Sequence, residues 1–353
     1  MKIGILTLRL YDNYGGILQN YALCRVLNLM GHEVETFKLG KPFTWKSKIK
    51  NYIKKLFVDR KKENTRISNC IIQEFINNKI PQTDYILNSA SQFMHDTRVQ
   101  KYDAYIVGSD QVWRRPYMEF GLKVMFLNFV KGNRKKISYA ASFGIEDLSE
   151  YSTKEILLVK KYLSTFNGIS VREDDGVRIC NSIGINAINV LDPVFLLSRN
   201  DYVNLAMQKT LPSEGNLFVY ILDNLDKNNS QICEVAKKHN FSPFFITLNL
   251  KKKKSVEQWL RSFYDADFII TDSFHACAFS IIFNKDFYII GNKGRGLSRI
   301  KSLLKQFYLE NRLIHNMDDL YKLSFDKIDW SVTNKQYENL KEISIKFLQK
   351  KIN

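Results

Sequence analysis

An α/β protein with two Rossmann-like domains in series is what this sequence predicts, on three observations. Short apolar, β-branched runs alternate with longer amphipathic stretches, the signature of βα units feeding a parallel sheet. At 353 residues the chain exceeds the size at which a single hydrophobic core stops growing. The alternation also restarts after Asp192-Pro193, and the segment Pro193–Ser213, with two prolines, reads as a linker. The expected division is an N-terminal domain over 1–195, a C-terminal domain over 196–313 and a helical segment over 314–353.

The elements follow in order. Strands are predicted over Lys2–Leu8, Glu33–Leu39, Ala104–Val107, Lys136–Ala140, Gly168–Val171 and Ala187–Leu191, with helices between them. The helix Gly16–Met30 places Ile17, Leu18, Tyr21, Ala22, Val26, Leu29 and Met30 at helical spacing, and Gly31 ends it. In the second half the pattern gives strand Leu217–Leu222, helix Ser230–His239, strand Pro243–Leu248 and helix Ser255–Tyr264. It continues with strand Asp267–Thr271, helix Ser273–Asn284 and strand Phe287–Ile290. No GxGxxG or Walker-type loop is present; Gly291-Asn292-Lys293-Gly294-Arg295-Gly296 follows a strand with the wrong spacing.

Composition excludes several classes. A hydrophobic content of 45% with 13% aromatics is that of a folded chain. The apolar opening Met1–Leu6 is too short for a secretory core, and no apolar run reaches the roughly 18 residues of a membrane span, so a cytoplasmic protein is expected. Five cysteines, Cys24, Cys70, Cys180, Cys233 and Cys277, and five scattered histidines suggest neither a disulfide framework nor a metal site. The formal charge of +17 implies attraction to an anionic partner: nucleic acid, acidic lipid or a phosphorylated substrate. The basic residues are spread over both halves with no nucleic-acid module, which argues against a nucleic-acid binder.

In open α/β sheets, ligands bind beyond the carboxyl ends of the strands. Six such ends are polar here: Tyr11–Gly16, Gly108–Trp113, Ala141–Gly144, Arg172-Glu173, Asp192-Pro193 and Thr271–His275. Each also has a plain structural reading. Asn13, Tyr14 and Gly15 suit a strand-to-helix turn, Gly108, Ser109 and Asp110 suit a helix cap, Trp113 suits either core or cleft wall, and Asp192-Pro193 suits a turn. The segment around His275 is more pointed. Phe274–Phe283 is apolar nearly all round and predicts a buried helix, yet its first turn carries Asp272, Ser273 and His275. A helix N-terminus offers free N–H groups and positive potential, an anion site in which an imidazole is held neutral.

Taken in order, MKIGILTLRLYDNYGGILQNYAL, YDAYIVGSDQVW, ISYAASFG, GISVREDDGV, INVLDPVFLL, DFIITDSFHACAFSIIFNKDF and GRGLSRIKSLLKQFYLENRL resemble the polysaccharide pyruvyl transferase family from residue 1 to about 313. The resemblance implies a GT-B-like arrangement of the two Rossmann-like domains, with the active site in the inter-domain cleft. It implies transfer of pyruvate from phosphoenolpyruvate onto two hydroxyls of one sugar, giving a cyclic ketal, with a lipid-linked saccharide or polysaccharide precursor as acceptor and no metal or organic cofactor.

The family's histidine falls on His275, the general acid/base, with Asp272 or Asp110 as the second group. Where some members carry arginine, Ser273 stands here, so Arg172, Arg295 and Arg299 are the candidate anion clamps. Ser109, Ser142 and Ser273 are hydroxyl donors. Asn13, Tyr14 and Gly15 are expected on the acceptor side, with Gly108, Trp113, Phe143 and Glu173 around the substrates. A nucleotide-sugar glycosyltransferase on the same scaffold is the competing reading. Finally, Lys46–Lys62 places Ile49, Tyr52, Ile53, Leu56 and Phe57 on one helical stripe flanked by lysines, the pattern of a helix lying on anionic lipid.

Overall fold

The computed structural model describes residues 1–42, 62–223, 225–246, 253–291, 296–315 and 317–353, without the side chains of 62–70, 225–228 and 317–318. The predicted lipid-facing stretch Lys46–Lys62 and the candidate clamp Arg295 lie outside the described residues and side chains.

The chain divides into two compact units, Met1–Pro193 with Ile345–Asn353, and Val194–Ser344. The first runs β1 (Lys2–Leu6), α1 (Tyr14–Leu29), β2 (Glu33–Leu39), α2 (Lys62–Lys79), β3 (Gln82–Leu87), α3 (Ala90–His95) and β4 (Ala104–Asp110). It continues with α4 (Leu122–Met125), β5 (Lys135–Ala141), α5 (Thr153–Leu163), β6 (Gly168–Val171), α6 (Asp174–Ser182) and β7 (Ile188–Asn189). Its strands pair in the order β3-β2-β1-β4-β5-β6-β7, parallel throughout. Parallel strands covered on both faces read as unbroken apolar runs: Ile3, Ile5 and Leu6 in β1, and Ala104–Val107 in β4, are fully buried. Gly4 keeps β1 level with its neighbours, because a Cβ there would sit 3.0 Å from the Tyr102 ring. Phe37 anchors an aromatic cluster, 5.3 Å from Tyr102 and 5.7 Å from Phe93.

The second unit runs α7 (Arg199–Ala206), β8 (Leu217–Tyr220), α8 (Leu225–Lys238), β9 (Pro243–Phe245), α9 (Val256–Asp265), β10 (Phe268–Thr271) and α10 (Phe274–Ile282). After these come β11 (Asp286–Ile290), α11 (Leu297–Gln306), β12 (Leu313–Ile314) and α12 (Trp330–Ile352). Its strands pair in parallel in the order β12-β11-β10-β8-β9. Ser198 with Asp201 closes a capping box on α7, and Ser255 caps α9, which fixes where both helices start. All nine residues of α10 are buried, as its apolar sequence predicts.

Three differences from the sequence reading have physical causes. The edge strand β3 is unforeseen because its alternation Gln82-Thr83-Asp84-Tyr85-Ile86-Leu87 buries only every second residue and looks like a loop beside the apolar central strands. The expected linker Pro193–Ser213 instead holds a 3-10 turn, Pro193–Phe195, and the helix α7. The segment 314–353 is helical over Trp330–Ile352 as expected but is not one body: Ile314 pairs with Ile290, and the last turns of α12 belong to the first unit. There Lys135 Nζ donates to the Ile352 carbonyl at 2.6 Å, and Leu348 and Ile352 are fully buried.

Candidate functional site

In the first unit the polar strand ends converge on one buried network. Gly108 lets β4 pass close to β5: its φ is +123° and a Cβ would meet the Tyr139 carbonyl oxygen at 2.2 Å. Ser109 N donates to Gln19 Oε1 at 3.1 Å, and its hydroxyl donates to Asp192 at 2.8 Å. Gln19 Nε2 in turn reaches Thr7 at 3.0 Å, tying α1 to the end of β1. Arg172, at the end of β6, lies at the centre. Its two terminal nitrogens donate to Asp110 and to Asp192, each at 2.8 Å, and Glu173 stands 3.9 Å away. Burial alone would lower the guanidinium's pKa, but the carboxylates of Asp110, Asp192 and Glu173 outweigh it and hold it above the usual arginine value. Glu173 also accepts from the backbone N–H groups of Phe143 at 2.9 Å and Gly144 at 3.3 Å.

This geometry corrects several expectations. Arg172 is not an open anion clamp: its side chain is completely buried and its fork already holds two carboxylates of its own unit. Asp110, the expected second acid/base group, is engaged with Arg172 and with the Gln111 N–H at 2.9 Å. Trp113 and Phe143 form core, not cleft wall: both are fully buried, and the indole stacks on Phe126 at 5.1 Å while donating to the Met125 carbonyl at 3.1 Å. Asn13 is the N-cap of α1, accepting from Gly16 N at 3.1 Å, and Tyr14 and Gly15 are buried behind it. Ser142 is buried, with a hydroxyl that makes no hydrogen bond to the described residues. Asp192, which reads from sequence as a turn, is a central member of this network. Its signal was a carboxylate directly after an apolar strand.

In the second unit, β8 lies between β9 and β10, so the chain leaves β8 in one direction and returns on the other side. Asp272 spans that crevice, its carboxylate accepting from Leu222 N at 2.8 Å and Asp223 N at 3.3 Å. It therefore staples the ends of β8 and β10. Ser273 caps α10 by accepting from Ala276 N at 3.4 Å. His275 follows in the first turn, 6% exposed, its ring edge-on to Phe274 at 5.2 Å. Arg299, in the first turn of α11, stacks its guanidinium over the same Phe274 ring at 5.4 Å. An imidazole, a guanidinium and a helix N-terminus thus gather around one aromatic side chain at the carboxyl end of the sheet. Among the described residues no three His, Cys, Asp or Glu side chains form a metal-binding group, and no helix is long and apolar enough to cross a membrane.

A sequence profile of the polysaccharide pyruvyl transferase family matches residues 13–294, and the chain belongs to that family. Among solved structures it is similar to the UDP-GlcNAc 2-epimerase of Neisseria meningitidis bound to UDP-GlcNAc, at 10% identity and a TM-score of 0.53, covering 99% of this chain and 100% of that one. It is also similar to the UDP-GlcNAc 2-epimerase of Methanocaldococcus jannaschii, at 14% identity and a TM-score of 0.55, covering 97% and 99%. At such identities the likeness is one of fold, the GT-B class of two Rossmann-like units. A search of curated proteins finds no match.

Proposed function

We propose that the protein is a ketal-forming pyruvyl transferase, moving pyruvate from phosphoenolpyruvate onto a sugar of a lipid-linked saccharide or polysaccharide precursor. The observation that carries this reading is the grouping of His275 and Arg299 on Phe274 at the N-terminus of α10. The donor carries a phosphate and a carboxylate, and a helix N-terminus beside a guanidinium suits such an anion.

The reaction adds a proton to the methylene carbon of the enolpyruvate, after which two hydroxyl oxygens of one sugar bond to its C2 in turn. The C2–O bond to phosphate breaks. One hydroxyl proton replaces the proton given to the methylene and the other leaves with inorganic phosphate, so the products are the ketal and phosphate. His275 is suited to move these protons, a contribution worth about 10²–10⁴-fold. Arg299 takes the clamp role foreseen for Arg172. Phosphate release that depends on both phosphoenolpyruvate and a lipid-linked saccharide tests the reading. Release of a nucleoside diphosphate from a nucleotide sugar, with phosphoenolpyruvate inert, replaces it with the glycosyltransferase.

A further inference from the structure

A concave site opens within the first unit, meeting the buried network around Arg172 only at Thr7. Strand β1 lies between β2 and β4, so the chain leaves it to one side and later returns on the other, the topology that leaves a crevice at the strand ends. A pocket of about 240 Å³ lies there, lined by residues that follow β1, by Leu39 at the end of β2 and by the loop after β4. Its volume falls below the roughly 300–1,000 Å³ of pockets for drug-sized ligands, so it suits a single ring.

The lining has two characters. Tyr11 and Tyr117 are 44% and 41% exposed, and Arg9 and Arg114 lean over their rings at 5.9 Å and 5.2 Å, fixing both aromatic planes. Asp12, Glu119 and Arg9 share the lining, with Arg9 Nη2 3.6 Å from Glu119. Arg9 Nε is buried and has no hydrogen-bond partner among the described residues. Two carboxylates against one lining guanidinium disfavour a phosphate or a second carboxylate. A ring with C–H faces to lie on tyrosine and hydroxyls to bond carboxylates and guanidinium meets every feature. Trp113 positions this wall: its indole is locked in the core, and the Tyr151 hydroxyl donates to its carbonyl just before the loop that carries Tyr117.

We propose that this pocket binds one uncharged pyranose ring, stacked on Tyr117 and hydrogen-bonded by Arg9, Asp12 and Glu119. That this ring belongs to the acceptor rests on the pyruvyl transferase reading; that the pocket binds a sugar does not. The test is saturation-transfer NMR of the intact protein with methyl glycosides of glucose, galactose, mannose and N-acetylglucosamine at millimolar concentration. The parent is expected to bind at least one. Tyr117→Ala should weaken that binding about tenfold or more and Glu119→Gln measurably, while Tyr117→Phe, which keeps the ring face, retains it.

A parent that binds none of the four, or Tyr117→Ala and Glu119→Gln variants that bind as the parent does, overturns the pocket. Phosphate release run in parallel separates the two readings. Glycoside binding that depends on Tyr117, with no phosphoenolpyruvate turnover, removes the pyruvyl transferase and keeps the pocket. Turnover with an unchanged acceptor KM in a Tyr117→Ala variant that has lost glycoside binding removes the acceptor assignment and keeps both the pocket and the transferase.

Discussion

Replacing Arg172 by lysine should destabilise the first unit rather than merely weaken donor binding. The guanidinium bridges Asp110 and Asp192 through two separate nitrogens at 2.8 Å each, and its side chain is shielded from water completely. An ammonium keeps the charge but is a single point, and it cannot hold two carboxylates on opposite prongs. One charge-assisted hydrogen bond, worth about 1.5–3 kcal/mol, is therefore lost. In a unit of roughly 200 residues each kcal/mol moves the midpoint by about 2–4 °C, so Arg172→Lys should lower Tm by roughly 3–12 °C. Arg172→Met should cost more, about 3–5 kcal/mol, because it leaves buried carboxylates without their cation. The double variant Arg172→Met/Asp192→Asn should recover part of that loss, since the two residues share one network. Thermal unfolding by circular dichroism, with and without phosphoenolpyruvate, reads all three. If Arg172→Lys melts within about 2 °C of the parent while losing only its stabilisation by the donor, the structural assignment is refuted and the guanidinium is a clamp after all.

Other outcomes are expected alongside it. His275→Ala and His275→Gln should both abolish donor-dependent phosphate release while keeping the far-UV spectrum, because an amide hydrogen-bonds but does not shuttle protons; turnover near the parent's in either variant would remove the acid–base role. Gly108→Ala should destabilise strongly, by more than about 2 kcal/mol, since the new methyl meets the Tyr139 carbonyl at a positive φ, and an unchanged melting curve would contradict that.

Burial pushes the Glu35 carboxyl up, but Lys101 and the Tyr102 hydroxyl outweigh it and hold it below the usual value. Its contribution to stability is thus present above about pH 4.5 and lost as pH falls through the lower folded value, so Glu35→Gln should flatten the acid limb of a Tm–pH profile. Burial likewise pushes the Cys24 and Cys180 thiols up to about 12, whereas Cys233 is exposed. Mass spectrometry after brief alkylation of the native chain should find Cys233 modified ahead of Cys24, Cys180 and Cys277.

The βα rhythm, the positions of the central strands along the chain and the buried character of α10 were legible in the sequence. Each is a local pattern: unbroken apolar runs for strands covered on both faces, and a helix apolar on every side. The placement of His275 in the first turn of that helix was equally local, because a cap residue and a helix start are set within a few positions. What the sequence left open was which polar strand ends face a ligand and which face each other. Gly108, Ser109, Asp110, Arg172, Glu173 and Asp192 read alike as a site, yet the side chains of Ser109, Asp110, Arg172 and Asp192 bond one another, and Glu173 accepts from the Phe143 N–H.

Nothing in the spacing of Asp110, Arg172 and Asp192 reveals that pairing, since the contacts span 62 and 20 residues. Trp113 reads from sequence as either cleft wall or core, and Phe126 stacked on it decides for core; Tyr11 opens a polar strand end, but only folding brings it together with Arg9 and Tyr117 at the ends of β1 and β4. The chain alone thus determined the elements and the helix that carries the histidine, through local periodicity. Only the tertiary structure decided which charges are paired and which pocket stays open, because a buried ion must find its partner wherever the sheet order places it.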